Sequence, residues 1–72
     1  MRTFVVTWQK IDGSYGFHDF ESRVDENLLT QHVTKIFLDK EQLRVVKRSD
    51  VTHTLQWTVF TGDERLATIE LL

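Results

Sequence analysis

Hydrophobic and polar residues alternate from the start of the chain: Phe4, Val6 and Trp8 share one parity, while Thr3, Val5, Thr7 and Gln9 share the other. A period of two in β-branched and aromatic residues predicts a strand over 2–11, with the Phe/Val/Trp parity toward a core. Asp12-Gly13-Ser14 is turn chemistry, because Gly13 takes positive φ without a steric penalty and Asp12 can bond back to the local backbone. A second strand is expected over 15–22. There Phe17 and Phe20 have opposite parity, so either one of them is exposed or a bulge near Gly16 or Asp19 resets the register. Such irregularity suits a short strand at a sheet edge.

The period then lengthens. Leu28, Leu29, Val33, Ile36 and Phe37 form one stripe of an amphipathic helix over 25–38. Asp25 is the expected N-cap, with Val24 and Leu29 placed as a hydrophobic staple and Ser22 a rival start one turn earlier. Asp25 and Glu26 suit the positive end of the helix dipole, and Lys35 and Lys40 the negative end. Residues 42–49 read as a third strand with Leu43 and Val45 inward. Residues 51–61 alternate most clearly. Val51, His53, Leu55, Trp57 and Val59 lie on one side, and Thr52, Thr54, Gln56, Thr58 and Phe60 on the other. Gly62-Asp63 fits a tight hairpin turn with glycine at the first central position, leading to a last strand over 65–72 with Ala67, Ile69 and Leu71 inward.

The order β-β-α-β-β-β predicts an α+β fold, a five-stranded antiparallel sheet with one helix packed on one face. The helix returns the chain so that strand three runs parallel to strand two, and pairing strand three with strand one gives the expected sheet order 2-1-3-4-5. One face of such a sheet has no covering element. It should carry a threonine-rich surface with Phe60 as its large apolar spot and Val5 and Val46 beside it. That is either ordinary solvated sheet or a flat interaction surface.

Composition narrows the class. Seventy-two residues make a single domain over 1–72, which buries only ~60% of the surface its unfolded chain exposes. That excludes a doubly wound nucleotide fold or a barrel enzyme. With no cysteine there are neither disulfides nor thiolate metal sites. A formal charge of −2 argues against a chain built to coat nucleic acid. No apolar run approaches the ~20 residues that span a bilayer, and no secretory signal opens the sequence, so a cytoplasmic location is expected.

Candidate chemistry is sparse. His18, His32 and His53 are not at metal-ligand spacing and read as boundary histidines, so no metal and no cofactor is expected. Asp19, Glu21, Asp25 and Glu26 form the densest acidic group, either a solvated rim or a patch that docks a basic groove on a partner. Lys40, Arg44, Lys47 and Arg48 are the one basic cluster, which with exposed aromatics could grip a single nucleic-acid strand. Trp8 and Trp57 have inward parities and read as core. There is no nucleophile elbow, phosphate loop or zinc-protease signature, so an enzyme is not expected.

The strand Thr3-Phe4-Val5-Val6-Thr7-Trp8, the turn at Asp12-Gly13, the strand ending Phe20-Glu21-Ser22, the helix start Asp25-Glu26-Asn27-Leu28-Leu29 and the strand Leu43-Arg44-Val45-Val46 form one outline. It resembles small bacteriophage-encoded proteins of β-β-α-β type, some of which are anti-CRISPR proteins and others inhibitors of host RNA polymerase. The resemblance covers about two-thirds of the chain, and the hairpin over 51–72 departs from the shortest versions. It implies a non-enzymatic inhibitor that binds a host protein or nucleoprotein complex and occludes a site. The residues expected to carry such binding are Asp19, Glu21 and Glu26 on the acidic rim, or Phe60, Arg44 and Arg48 on the open sheet. The alternatives are a nucleic-acid-binding domain using Arg44, Lys47 and Arg48, or a homodimer joined through the threonine face or an unpaired strand edge, in place of a monomer.

Overall fold

The computed structural model describes residues 1–50 and 54–72. Five strands, β1 (Arg2–Gln9), β2 (Tyr15–Ser22), β3 (Leu43–Lys47), β4 (Gln56–Thr61) and β5 (Glu64–Leu71), form one sheet, with a single helix, α1 (Glu26–Ile36), between β2 and β3. Every strand pairing is antiparallel. The expected α+β architecture is present. The start of the strand expected over 51–61, with Val51, Thr52 and His53, lies outside the described residues.

The order across the sheet is β2-β1-β5-β4-β3, which corrects the expected 2-1-3-4-5. Both orders keep the same hairpins and the same strand directions, so local turns cannot choose between them. They differ in which end of the β3-β4-β5 meander meets β1. β5 brings buried Ala67 and Ile69 to the centre, whereas five-residue β3 has Val45 as its one buried residue and exposes Arg44, Val46 and Lys47. The strand with more to bury takes the middle. α1 must then carry the chain from one edge of the sheet to the other. Four inter-strand spacings make roughly 19 Å, and an 11-residue helix is about 16 Å long. A diagonal crossing therefore suffices, with α1 touching both edge strands and packing more closely on β3.

The core is what this helix covers. Leu29, Val33 and Phe37 meet Phe4, Val6, Val45, Trp57, Val59, Ala67 and Ile69, all buried. Aromatic rings link the layers: Phe4 stacks on Phe20 at 5.5 Å and meets Trp57 edge-on at 5.7 Å, and Trp8 meets Phe37 edge-on at 5.0 Å. The Trp57 indole N–H is buried without an acceptor among the described residues. The helix starts as its cap predicts. Asp25 is extended (φ −151°, ψ 119°), and its carboxylate accepts from the Asn27 and Leu28 amides at 2.8 and 3.4 Å.

The two hairpins with glycine turns, β1–β2 and β4–β5, follow their turn residues. The Lys10 amide donates to the Ser14 carbonyl at 2.7 Å around the loop Ile11-Asp12-Gly13, with Gly13 at φ +89°. Gly62 (φ +60°) takes the first central position between paired Thr61 and Glu64, as a type II′ turn requires. No bulge interrupts β2, which pairs with β1 in unbroken register from Tyr15 to Ser22. The parity conflict of the two phenylalanines is resolved by exposure, with Phe17 facing water and Phe20 packing on the core. The sheet's one register shift lies instead between Val59 and Phe60.

Gly16 has a packing role that the turn reading did not anticipate. The Trp8 indole lies directly over its Cα, and a Cβ there would come within 2.5 Å of the ring. We expect Gly16→Ala to lower stability by about 1–3 kcal/mol in urea unfolding, because the indole must leave its place against Phe37. Trp8→Phe should relieve much of that penalty, which a double-mutant cycle reads directly.

Candidate functional site

The face of the sheet opposite α1 is uncovered, and strand register arranges its side chains in rows. One row runs Phe17, Thr7, Thr68, Thr58, Val46 from the β2 edge to the β3 edge. The next runs Asp19, Val5, Glu70, Gln56, Arg48, its last step made by the Arg48 amide donating to the Gln56 carbonyl at 2.8 Å. The middle is the threonine-rich belt expected from the alternation. Its chemistry lies at the two edges.

At the β3 side, Arg44 and Phe60 are cross-strand partners, and the guanidinium lies 4.8 Å from the ring centroid. This is a cation–π contact on an open surface, of the kind worth about 0.5–1 kcal/mol. Arg65 pairs with Phe60 from the other side, where the register shifts. Arg48 is held differently. Its Nε and one terminal nitrogen donate to Asp50 at 3.0 and 2.7 Å, and its other nitrogen donates to Gln56 Oε1 at 3.0 Å. Gln56 in turn donates to Glu70 at 3.4 Å. Arg48 is thus tied into a polar ladder, while the Arg44 guanidinium makes no hydrogen bond among the described residues. Lys47 is the register partner of inward-facing Trp57 and so belongs to the helix side. Among the described residues the basic cluster does not form one continuous track.

At the β2 side, Asp19 and Glu21 are exposed on the open face, opposite Val5 and Thr3. Glu26 is exposed in the first turn of α1 and belongs to the other layer, so the acidic rim is divided. The structure brings Arg44 and Phe60 together, and it puts Asp19 and Glu21 at the opposite edge from Arg44 and Arg48. The expected patch of Val5, Val46 and Phe60 is corrected by the strand order: β5 and β4 separate Val5 from Val46, and Phe60 is half-buried. The sequence reading passed over Tyr15 and Phe17, which lie 68% and 72% exposed beside the acidic pair. The signal was present in Phe17 and Phe20, whose opposite parities require one exposed ring in any regular strand.

Two smaller features lie on the helix side. His18 and His32 share a dent with Phe20, Lys35 and Ile36, where the His32 ring stacks on Phe20 at 4.3 Å. No cluster of three or more metal-ligating side chains occurs among the described residues. A shallow groove at the sheet end has Trp8, Phe37 and Leu66 on its floor, ringed by Lys10, Lys40, Asp12 and Asp39 in balanced charge. No helix is long and apolar enough to cross a membrane among the described residues.

Two exposed carboxylates have environments that shift them. Hydrogen bonds from the Ser14 hydroxyl and amide hold Asp12 below the ordinary aspartate value, and the hydrogen-bonded Arg48 guanidinium does the same for Asp50. A lowered folded pKa means that the stabilisation is present above the unfolded value and is lost as pH falls through the folded one. We expect carbon-detected NMR titration to place both midpoints below those of free aspartate. Arg48→Ala should raise the Asp50 midpoint toward the ordinary range and leave that of Asp12 unchanged.

Comparison with known proteins finds no family model, no curated protein and no solved structure that matches this chain.

Proposed function

We propose that this chain is a small, non-enzymatic protein-binding module that acts by seating its open sheet face on a larger protein or nucleoprotein complex and occluding a site there. The observation that carries the reading is that face itself. Side chains able to make strong contacts stand at both of its edges, namely Tyr15, Phe17, Asp19 and Glu21 on β2 and the Arg44–Phe60 pair on β3–β4. Exposed aromatics and a free arginine are the residue types that anchor protein interfaces, and charges of opposite sign at the two ends would fix orientation. The resemblance to phage-encoded inhibitors agrees with occlusion of a host site as the mode of action. Glu26, on the other layer, falls outside this surface.

Nucleic-acid binding receives less support. Arg48 is neutralised by Asp50, and Lys47 lies on the other side of the sheet from Arg44. Affinity capture from bacterial lysate, with and without nuclease, tests the choice. A protein should be retained through nuclease treatment. Asp19→Lys with Glu21→Lys, or Arg44→Glu alone, should weaken its binding by about tenfold or more, with the melting temperature nearly unchanged. Recovery of nucleic acid alone, lost on nuclease treatment, would move the function to the basic strand. Binding unaffected by both charge changes would overturn this surface as the site.

A further inference from the structure

The two edges of the sheet are complementary to each other. The Leu72 amide donates to the Thr3 carbonyl, so the odd-numbered residues of β1 turn their backbone groups toward β5 and the even-numbered ones toward β2. On β2, therefore, Gly16, His18, Phe20 and Ser22 bond to β1. Tyr15, Phe17, Asp19 and Glu21 present their N–H and C=O groups outward. On β3 the Arg48 amide bonds to β4, so the outward groups there belong to Leu43, Val45 and Lys47. The only blunting device that β2 carries is the charge of Asp19 and Glu21. It runs eight residues in unbroken register and contains no proline, lysine or bulge.

We infer that β2 receives the β3 edge of a second copy of this chain, in parallel, so that the sheet continues from one molecule to the next. Four observations agree. First, strand direction reverses at each of the four antiparallel steps across the sheet, so β2 and β3 run the same way. A lateral neighbour therefore offers β3 parallel to β2. Second, in a parallel ladder a residue whose backbone groups point at the partner sits opposite one whose groups point away, with both side chains on one face. The outward residues of β2 are on the open face, as are the inward-bonded Arg44 and Val46 of β3. The two sheets thus join with both helices on the same side.

Third, continuing each row without a shift sets Phe17 beside the next copy's Val46, Asp19 beside its Arg48 and Tyr15 beside its Arg44. Phe17 and Val46, 72% and 39% exposed, are large apolar residues at opposite ends of one row, and this register covers each with the other. On the helix side the same register sets His18 beside Lys47, which is neither an apolar nor an acid–base match, so the open face supplies the preference. Fourth, β2 carries Asp19 and Glu21 with no lysine or arginine, and the β3 edge stays positive through Arg44 and Lys47 even with Asp50 beside Arg48. Pairing β2 with its own copy crowds four carboxylates into one seam, and pairing β3 with its own copy crowds the bases. Like charges oppose both symmetric dimers and leave the head-to-tail pairing. Such a contact does not close on itself, so copies add at either end. The inference goes beyond the partner reading and does not depend on it.

Analytical ultracentrifugation of the purified chain, from micromolar to millimolar, is the test. The weight-average mass should rise continuously with concentration, and the rise should shrink in high salt. Phe17→Lys with Asp19→Lys makes the β2 edge basic, and Arg44→Glu with Val46→Glu makes the β3 edge acidic. Each variant alone should associate about tenfold more weakly or worse, with unchanged circular dichroism, and an equimolar mixture of the two should regain association. A monomer mass at every concentration would overturn the inference. So would a species that stops at two chains, or association that neither variant weakens.

Discussion

One eleven-residue helix has to cover a five-stranded sheet, and the remaining features of the molecule follow from that shortage. The covered face must collect the apolar side chains that form the core, which is why Phe4, Val6, Trp57, Val59, Ala67 and Ile69 keep strict alternation and meet Leu29, Val33 and Phe37 above them. Nothing is left to cover the other face, which is filled by threonine, a type that tolerates water and still favours the extended chain. The helix must also span the sheet from edge to edge, so it cannot shield both edges equally. It packs more closely on β3 and leaves β2 regular and accessible.

That asymmetry decides where binding chemistry can sit. A small domain with a thin core has little volume to spare for a deep cleft. In the proposed reading, recognition falls to the flat face and the strand edges, where backbone groups and a few large side chains do the selecting. The two ends of the face differ in kind. On one side Arg44 lies over Phe60, a contact that holds a cation ready without neutralising it. On the other, exposed rings alternate with carboxylates along Tyr15, Phe17, Asp19 and Glu21. The Arg48–Gln56–Glu70 ladder between them is self-satisfied and serves to fix the sheet surface.

Much of the fold was legible because short-range chemistry dictates it. The strands, the helix, the Asp25 cap and both glycine turns each depend on residues a few positions apart. The strand order was not, because the two candidate orders contain identical hairpins and differ in one long-range pairing, between β1 and β5. Its outcome depends on summed burial, with Ala67 and Ile69 in the central strand outweighing Leu43 and Val45. The site suffered from the same gap. Arg44 and Phe60 were correctly assigned to one face, but their direct contact is a product of β3–β4 register. Phe17 was passed over because a bulge offered an equally local explanation of its parity, and only the unbroken register with β1 removes that explanation.

With no bulge to explain it, the exposure of Phe17 is what the proposed pairing accounts for. An in-register strand could have placed threonine at that position, as β1, β5 and β4 do in the same row with Thr7, Thr68 and Thr58. The row is apolar only at its two ends, Phe17 and Val46, where a neighbour would begin. A solvated edge would gain nothing from a phenyl ring there, and a ring on an unprotected strand adds an aggregation hazard. The flanking carboxylates limit that hazard by opposing a second β2 strand while still admitting a basic one. In the proposed pairing, ring and charges together would let this edge discriminate between the strands that meet it.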